Sequence, residues 1–168
     1  MHFAIEFDYA ADVCKVAAML ADPEFVRHRS ARGTSSGVIE SVVVTGNFDE
    51  MFTVIVRRSV PTDLIPVQAR AIVGDRLEIR QAEVWTAPDG PERKGTVALD
   101  IPGAPIRCTG TLRLEPLPDG GTRHCYEGDV QASVPLVGSL IEDAVGKAIE
   151  RTLRAEAEAA VGWLTERT

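Results

Sequence analysis

Glu83 stands in the run Leu77, Ile79, Gln81, Glu83, Trp85, where alternate residues share one face of a strand. Desolvation favours the protonated form of a carboxylate, so a Glu shut in an apolar cavity can serve as a general acid or base. The same alternation brings Arg58, His124, Tyr126 and Tyr9 to that face. A competing expectation is that a bulge turns Glu83 outward, or that an Arg58 or Tyr126 neighbour simply satisfies it. His124 and Tyr126 could form an acid–base pair, but His124 lies close to the Gly120-Gly121 turn and is expected at the solvated rim of the sheet.

Other chemistries find no support. Cys14, Cys108 and Cys125 are widely spaced, and His28 has no His, Cys or carboxylate at ligand spacing on a common face, so no metal site is expected. There is no CxxC, no GxSxG, no phosphate-cradling glycine loop and no dinucleotide fingerprint, so no cofactor is expected either.

These residues must be positioned by a sheet. Residues 2–9 alternate, with Phe3, Ile5, Phe7 and Tyr9 on one face. Residues 10–21 change to helical period, and Asp22-Pro23 starts a second short helix over 23–28, with Asp22 as its cap. A loop follows over 33–37. Six strands are then expected, at 38–46, 51–60, 76–87, 93–101, 105–116 and 121–132. Most are separated by turn sequences such as Pro102-Gly103-Ala104-Pro105 and Pro118-Asp119-Gly120. The stretch 61–74, with Leu64, Ile65, Val67 and Ile72, is long for a hairpin and reads as a short helix or flap.

A hairpin with Gly120 in the left-handed region pairs 117 with 121. It sets Leu114 opposite His124, Leu112 opposite Tyr126, Gly110 opposite Gly128 and Cys108 opposite Val130. The same parity adds Val97, Leu99 and Ile101, and then Phe52, Val54, Val56 and Arg58, to one apolar face. Gly110 facing Gly128 either lets a helix approach closely or leaves volume for a ligand.

Pro135 reads as the first residue of a C-terminal helix whose apolar stripe includes Val137, Leu140, Ile141, Ala144, Ala148, Ile149, Leu153 and Val161. About 30 such residues span roughly 45 Å, enough to lie across the whole sheet. Trp163 and Leu164 read as its last core turn, a homodimer contact being the alternative. The acids Glu142, Asp143, Glu150, Glu156 and Glu158 read as its solvated face.

Length and charge narrow the field further. The 168 residues favour one domain over 1–168. A formal charge of -7 argues against nucleic acid or an anionic membrane as the main partner. No apolar run reaches the ~18 residues of a spanning helix, so no integral membrane association is expected. The first residues lack a basic n-region, and three unpaired cysteines suit a reducing interior, so a soluble, cytoplasmic protein is expected.

The element order is α+β: a strand, two short helices, six strands and a long helix. It resembles the helix-grip fold of the START-like (SRPBCC) superfamily, which includes polyketide cyclases, birch-pollen-allergen-like proteins and lipid-transfer domains. In that fold a curved antiparallel sheet of about seven strands wraps on the C-terminal helix. Pro102-Gly103-Ala104-Pro105, Gly110-Thr111-Leu112, Trp85 and Val134-Pro135-Leu136-Val137-Gly138-Ser139-Leu140-Ile141-Glu142 are similar, more narrowly, to a bacterial START-like family of unknown function. The resemblance implies a cavity between sheet and helix that takes a hydrophobic small molecule, with no catalytic residue carried over. The expected role is a non-catalytic binding or carrier protein for a lipid, fatty acyl or polyketide-like compound. Its expected ligand-binding residues are Phe52, Val54, Val56, Arg58, Gln81, Glu83, Trp85, Leu99, Leu112, Tyr126, Leu140, Ala144 and Ala148. The alternatives are a cyclase or dehydratase using Glu83 and Tyr126, and an interaction module whose cavity is filled by side chains.

Overall fold

The alternating segments pair as the turns dictate. The computed structural model describes residues 1–34, 37–64, 67, 70–71 and 74–167. It contains β1 (His2–Tyr9), α1 (Val13–Leu20), α2 (Pro23–Gly33), β2 (Val38–Gly46), β3 (Phe52–Pro61), β4 (Arg76–Trp85), β5 (Arg93–Asp100), β6 (Ile106–Pro116), β7 (Thr122–Ala132) and α3 (Gly138–Glu166). The seven strands form one antiparallel sheet in the order β1-β7-β6-β5-β4-β3-β2, open at its two edges. With α3 packed against it and two short helices after β1, the fold is an α+β helix-grip.

The register deduced from parity holds. Leu114 faces His124, Leu112 faces Tyr126, Gly110 faces Gly128 and Cys108 faces Val130. Across the next strands Gln81 faces Leu99, Glu83 faces Val97 and Trp85 faces Phe52. Gly120 adopts φ +86, and the Leu117 amide donates to the Gly121 carbonyl, as a glycine-closed hairpin requires.

Both short helices are capped as their sequences suggest. Asp12 accepts from the Lys15 amide, and Asp22 accepts from the Glu24 amide with Pro23 in the first turn. α2 runs to Gly33 rather than ending at His28, and the added turn turns Arg29 and Ser30 inward beside Phe25 and Val26. α3 begins at Gly138, not at Pro135. Leu136 interrupts the chain with φ 70 and lies fully exposed, so residues 135–137 form a turn before the helix. A left-handed non-glycine residue costs about 1 kcal/mol. Trp163 and Leu164 pack against the core, with Trp163 edge-on to Phe25 at 5.4 Å, so the end of α3 is a core turn.

In the long connection after β3, Thr62–Leu64 form a 3-10 turn, and Val67, Arg70 and Ala71 are helical. Ile65 and Ile72, like Ser35 and Ser36 of the 33–37 loop, lie outside the described residues.

The facing glycines serve a purpose not among the two expected. A Cβ on Gly110 would stand 2.5 Å from the Glu127 carbonyl oxygen, and one on Gly128 would stand 2.6 Å from that of Thr109. The Gly128 Cβ would also meet the Phe3 ring at 3.0 Å. The strand backbones and Phe3 occupy the room, so neither α3 nor a free volume explains the pair. Gly128→Ala is therefore expected to lower stability by about 2 kcal/mol in urea unfolding, because the obstructing atoms are mostly backbone.

The core is divided. Phe52, Trp85, Leu112 and Leu114 pack with Val16 and Phe25 from the short helices and with Leu153, Ala157 and Ala160 from α3. Leu77, Ile101, Ile106 and Ile141 form a smaller group near the start of α3.

Candidate functional site

Glu83 lies in the sheet at 1% exposure, and its fate is decided by three donors from two elements, α2 and β4. Arg29 of α2 donates to its Oε1 at 2.8 Å, Gln81 of β4 donates to the same oxygen at 2.9 Å, and the Trp85 indole donates to Oε2 at 3.2 Å. Glu156 of α3 continues the network. It stands 3.6 Å from Arg29 and 3.6 Å from Arg58, which in turn donates to Gln81 at 2.5 Å and to the Thr34 hydroxyl at 3.2 Å. Two guanidiniums thus meet two carboxylates, all nearly out of water, and the group is formally neutral. Burial opposes the Arg29 charge, but Glu83 and Glu156 outweigh it and hold its pKa above the ordinary arginine value.

Glu156 corrects the view of α3's acids as a uniformly solvated face, since it is 4% exposed. It follows Leu153 by three residues and precedes Ala157 and Ala160, so the helical period itself puts it on the core stripe. Glu142 also has a structural partner, accepting from the Ala132 amide at 3.0 Å.

His124 is not at the rim but fully buried. Its ring lies 4.2 Å from that of Tyr126, 5.5 Å from that of Trp85 and 6.2 Å from that of Tyr9. α2 brings the Arg29 charge to bear on this ring, and the aromatic rings of Tyr9, Trp85 and Tyr126 surround it where open solvent was expected. Neither ring nitrogen has a hydrogen-bond partner, and burial, reinforced by the Arg29 charge, pushes its pKa down to about 3. The neutral ring is thus an aromatic filler. Burial likewise lifts the Tyr126 hydroxyl well above its usual value, with the Glu83 charge adding to the rise.

Between the two parts of the core lies a cavity of about 480 Å³, bounded by the sheet, the end of α2 and the inner face of α3. Of the thirteen residues expected to touch a ligand, Arg58, Gln81, Leu99, Tyr126, Ala144 and Ala148 line this space. Phe52, Val54, Val56, Glu83, Trp85 and Leu112 are packed in the larger core group beyond the wall, and Leu140 is 47% exposed on α3. The polar network therefore presents Arg58 and Gln81 to the cavity and keeps Glu83 behind them.

Strand parity could not find Arg29, Arg32, Arg151 or Glu156, because all four lie on helices. Arg29 was hidden by ending α2 one turn early, although it follows Phe25 by four residues on the same helix face. Cys108 also lines the cavity, and burial pushes its thiol up to about 11, so it is a protonated wall residue at neutral pH. Among the described residues no helix is long and apolar enough to cross a membrane.

A sheet gripping a long C-terminal helix, with two short helices after the first strand, is the fold that START-like and birch-pollen-allergen-like proteins share. The chain belongs to the family described as "Protein of unknown function (DUF2505)", whose model matches residues 4–164. It is 25% identical to the uncharacterized protein Rv0481c of Mycobacterium tuberculosis, over 97% of this chain and 96% of that one. In fold it is similar to a START superfamily protein from Mycobacterium smegmatis, with TM-score 0.57, 14% identity and coverage of 99% of both chains. It is similar in fold to norcoclaurine synthase from Thalictrum flavum as well, with TM-score 0.58 and 14% identity over 100% of this chain and 88% of that one.

Proposed function

We propose that this protein binds and carries a hydrophobic small molecule, of lipid, fatty acyl or polyketide-like character, in the cavity between the sheet and α3. The observation that carries this reading is the state of Ile79, Val97 and Leu99. They sit on the inner face of the middle strands, yet each remains partly exposed, because the cavity stands between them and the helix. A sheet face closed by side chains would bury them, as it buries Phe52, Val54 and Trp85 a few residues away. The volume lies in the range of small-molecule sites, and the wall is mainly aliphatic. Each methylene moved from water into it contributes about 0.8 kcal/mol. The norcoclaurine synthase structure holds dopamine and hydroxybenzaldehyde, which supports this fold as a container for organic molecules.

The reading is tested by titrating the protein with the neutral probe N-phenyl-1-naphthylamine and following its fluorescence. Saturable one-to-one binding is expected, and Ala148→Trp, which places a large ring in the cavity, is expected to weaken it at least tenfold. Binding that is absent, or that ignores Ala148→Trp in a normally folded variant, would overturn the reading.

A further inference from the structure

The cavity is not uniform along its length. At one end Leu77, Ile101, Ile106 and Ile141 pack together as a buried aliphatic wall, with Val145 against them. The other gathers the polar lining, where three contacts join its parts. Arg58 donates to Thr34, Thr152 donates to the Gly33 carbonyl at 3.4 Å, and a Cβ on Gly33 would stand 2.9 Å from the Thr152 methyl. Arg32 and Arg151 immediately precede the two residues of that last contact, so α2 and α3 bring both to the same seam.

Among the described residues, every charged one lining the cavity is an arginine: Arg32, Arg58 and Arg151. That is unexpected in a chain with 25 acidic and 18 basic residues. Arg58 is balanced from behind by Glu156 at 3.6 Å. Arg32 and Arg151 are exposed, and neither makes an ion pair with a carboxylate among the described residues. The Thr34 hydroxyl accepts from Arg58 and so keeps its own proton to donate. An aliphatic end and a mouth with two unbalanced cations fit a molecule with one apolar chain and one anionic end.

We propose that the ligand is a single-chain amphiphile with an anionic headgroup, its chain directed at Ile106 and Ile141 and its head held at the mouth by Arg32 and Arg151. This rests on the carrier reading above and adds the charge of the ligand to it. A carboxylate and a phosphate monoester both supply that chemistry, and both bind guanidinium in a forked geometry.

The test measures displacement of the neutral naphthylamine probe by dodecanoate, dodecyl phosphate and dodecanol, which share one chain and differ in the head. At least one anion is expected to bind about tenfold more tightly than dodecanol, since two solvent-exposed charge pairs contribute on the order of 1–2 kcal/mol together. That ratio should collapse towards one in Arg32→Gln/Arg151→Gln, whose two changes lie on the surface, and shrink as salt is raised. Preference for dodecanoate alone or dodecyl phosphate alone names the source of the anion and supports the proposal. Dodecanol binding as tightly as both anions would overturn it while leaving the carrier reading intact. A preference that survives the double variant would overturn the assignment to Arg32 and Arg151. Failure of all three compounds to displace the probe would overturn both readings.

Discussion

Replacing Arg29 by Met is expected to lower the unfolding free energy by about 3–5 kcal/mol, the usual cost of stranding a buried charge. Arg29 is 2% exposed and, among the described residues, is the one cation in contact with both Glu83 and Glu156. Met approximates its stem, so the loss comes from the two carboxylates left facing one remaining arginine, Arg58. Those carboxylates cannot reach water without opening the seam between α2 and α3. Arg29→Met/Glu83→Gln should then cost clearly less than the sum of the two single changes, because the second removes a charge the first has orphaned. Guanidinium unfolding of the four proteins measures both quantities. A change of less than about 0.5 kcal/mol for Arg29→Met, the size typical of a surface substitution, would contradict the buried network.

The second large effect concerns acid. His124 has a folded-state pKa of about 3, below the ordinary histidine value of 6.5. The unfolded chain therefore binds a proton that the folded chain refuses once the pH falls below about 6.5. The stability contributed by the neutral ring is present above that pH and is lost as the pH drops towards 3, at up to about 1.4 kcal/mol per pH unit. The groups around the ring are Tyr9 from β1, Trp85 from β4, Tyr126 from β7 and Arg29 from α2, with Glu83 acting on the neighbouring Tyr126. Burial raises both tyrosines, so neither titrates in that window, and the Arg29 charge opposes a second cation. Wild type should thus lose about 2 kcal/mol more than His124→Phe between pH 7.5 and 5. The variant keeps a ring of similar shape and discards two nitrogens that have no partner. Parallel pH profiles for the two proteins would show that the histidine gains access to water.

The sheet could be reconstructed from the chain because two short-range signals constrain the same quantity. Alternation sets which residues share a face, and the Pro118-Asp119-Gly120 turn sets which residues pair, so an error in either would have disturbed the Gly110–Gly128 and Leu112–Tyr126 pairs. Placement along the helix axis had no such second signal. Val56 and Arg58 share a face and are neighbours on it, yet one is sealed in the core and the other lines the cavity. Which of them meets open space depends on how α2 and α3 lie over the strands, a long-range fact that strand parity does not encode. Arg29 and Glu156 were obscured for a different reason. Charged residues on an apolar stripe read as surface unless a partner is known, and here each is the other's partner across 127 residues of chain.

Polar chemistry and apolar volume are consequently separated in this protein. The carboxylate that first suggests acid–base work is held behind Gln81 and Arg58 by three donors, while the wall that a ligand would meet is aliphatic with a cationic mouth. The network ties α2, β3, β4 and α3 together, which holds the cavity walls in place.

The protein's proposed role turns on whether the cavity carries a hydrophobic molecule. Native mass spectrometry of the protein, purified gently from its own host and measured before and after denaturation, tests it most directly. A carrier should show a stoichiometric extra mass that denaturation releases, or stoichiometric uptake when fatty acids and lipids are added to a bare protein. A bare mass that takes up none of them would contradict it.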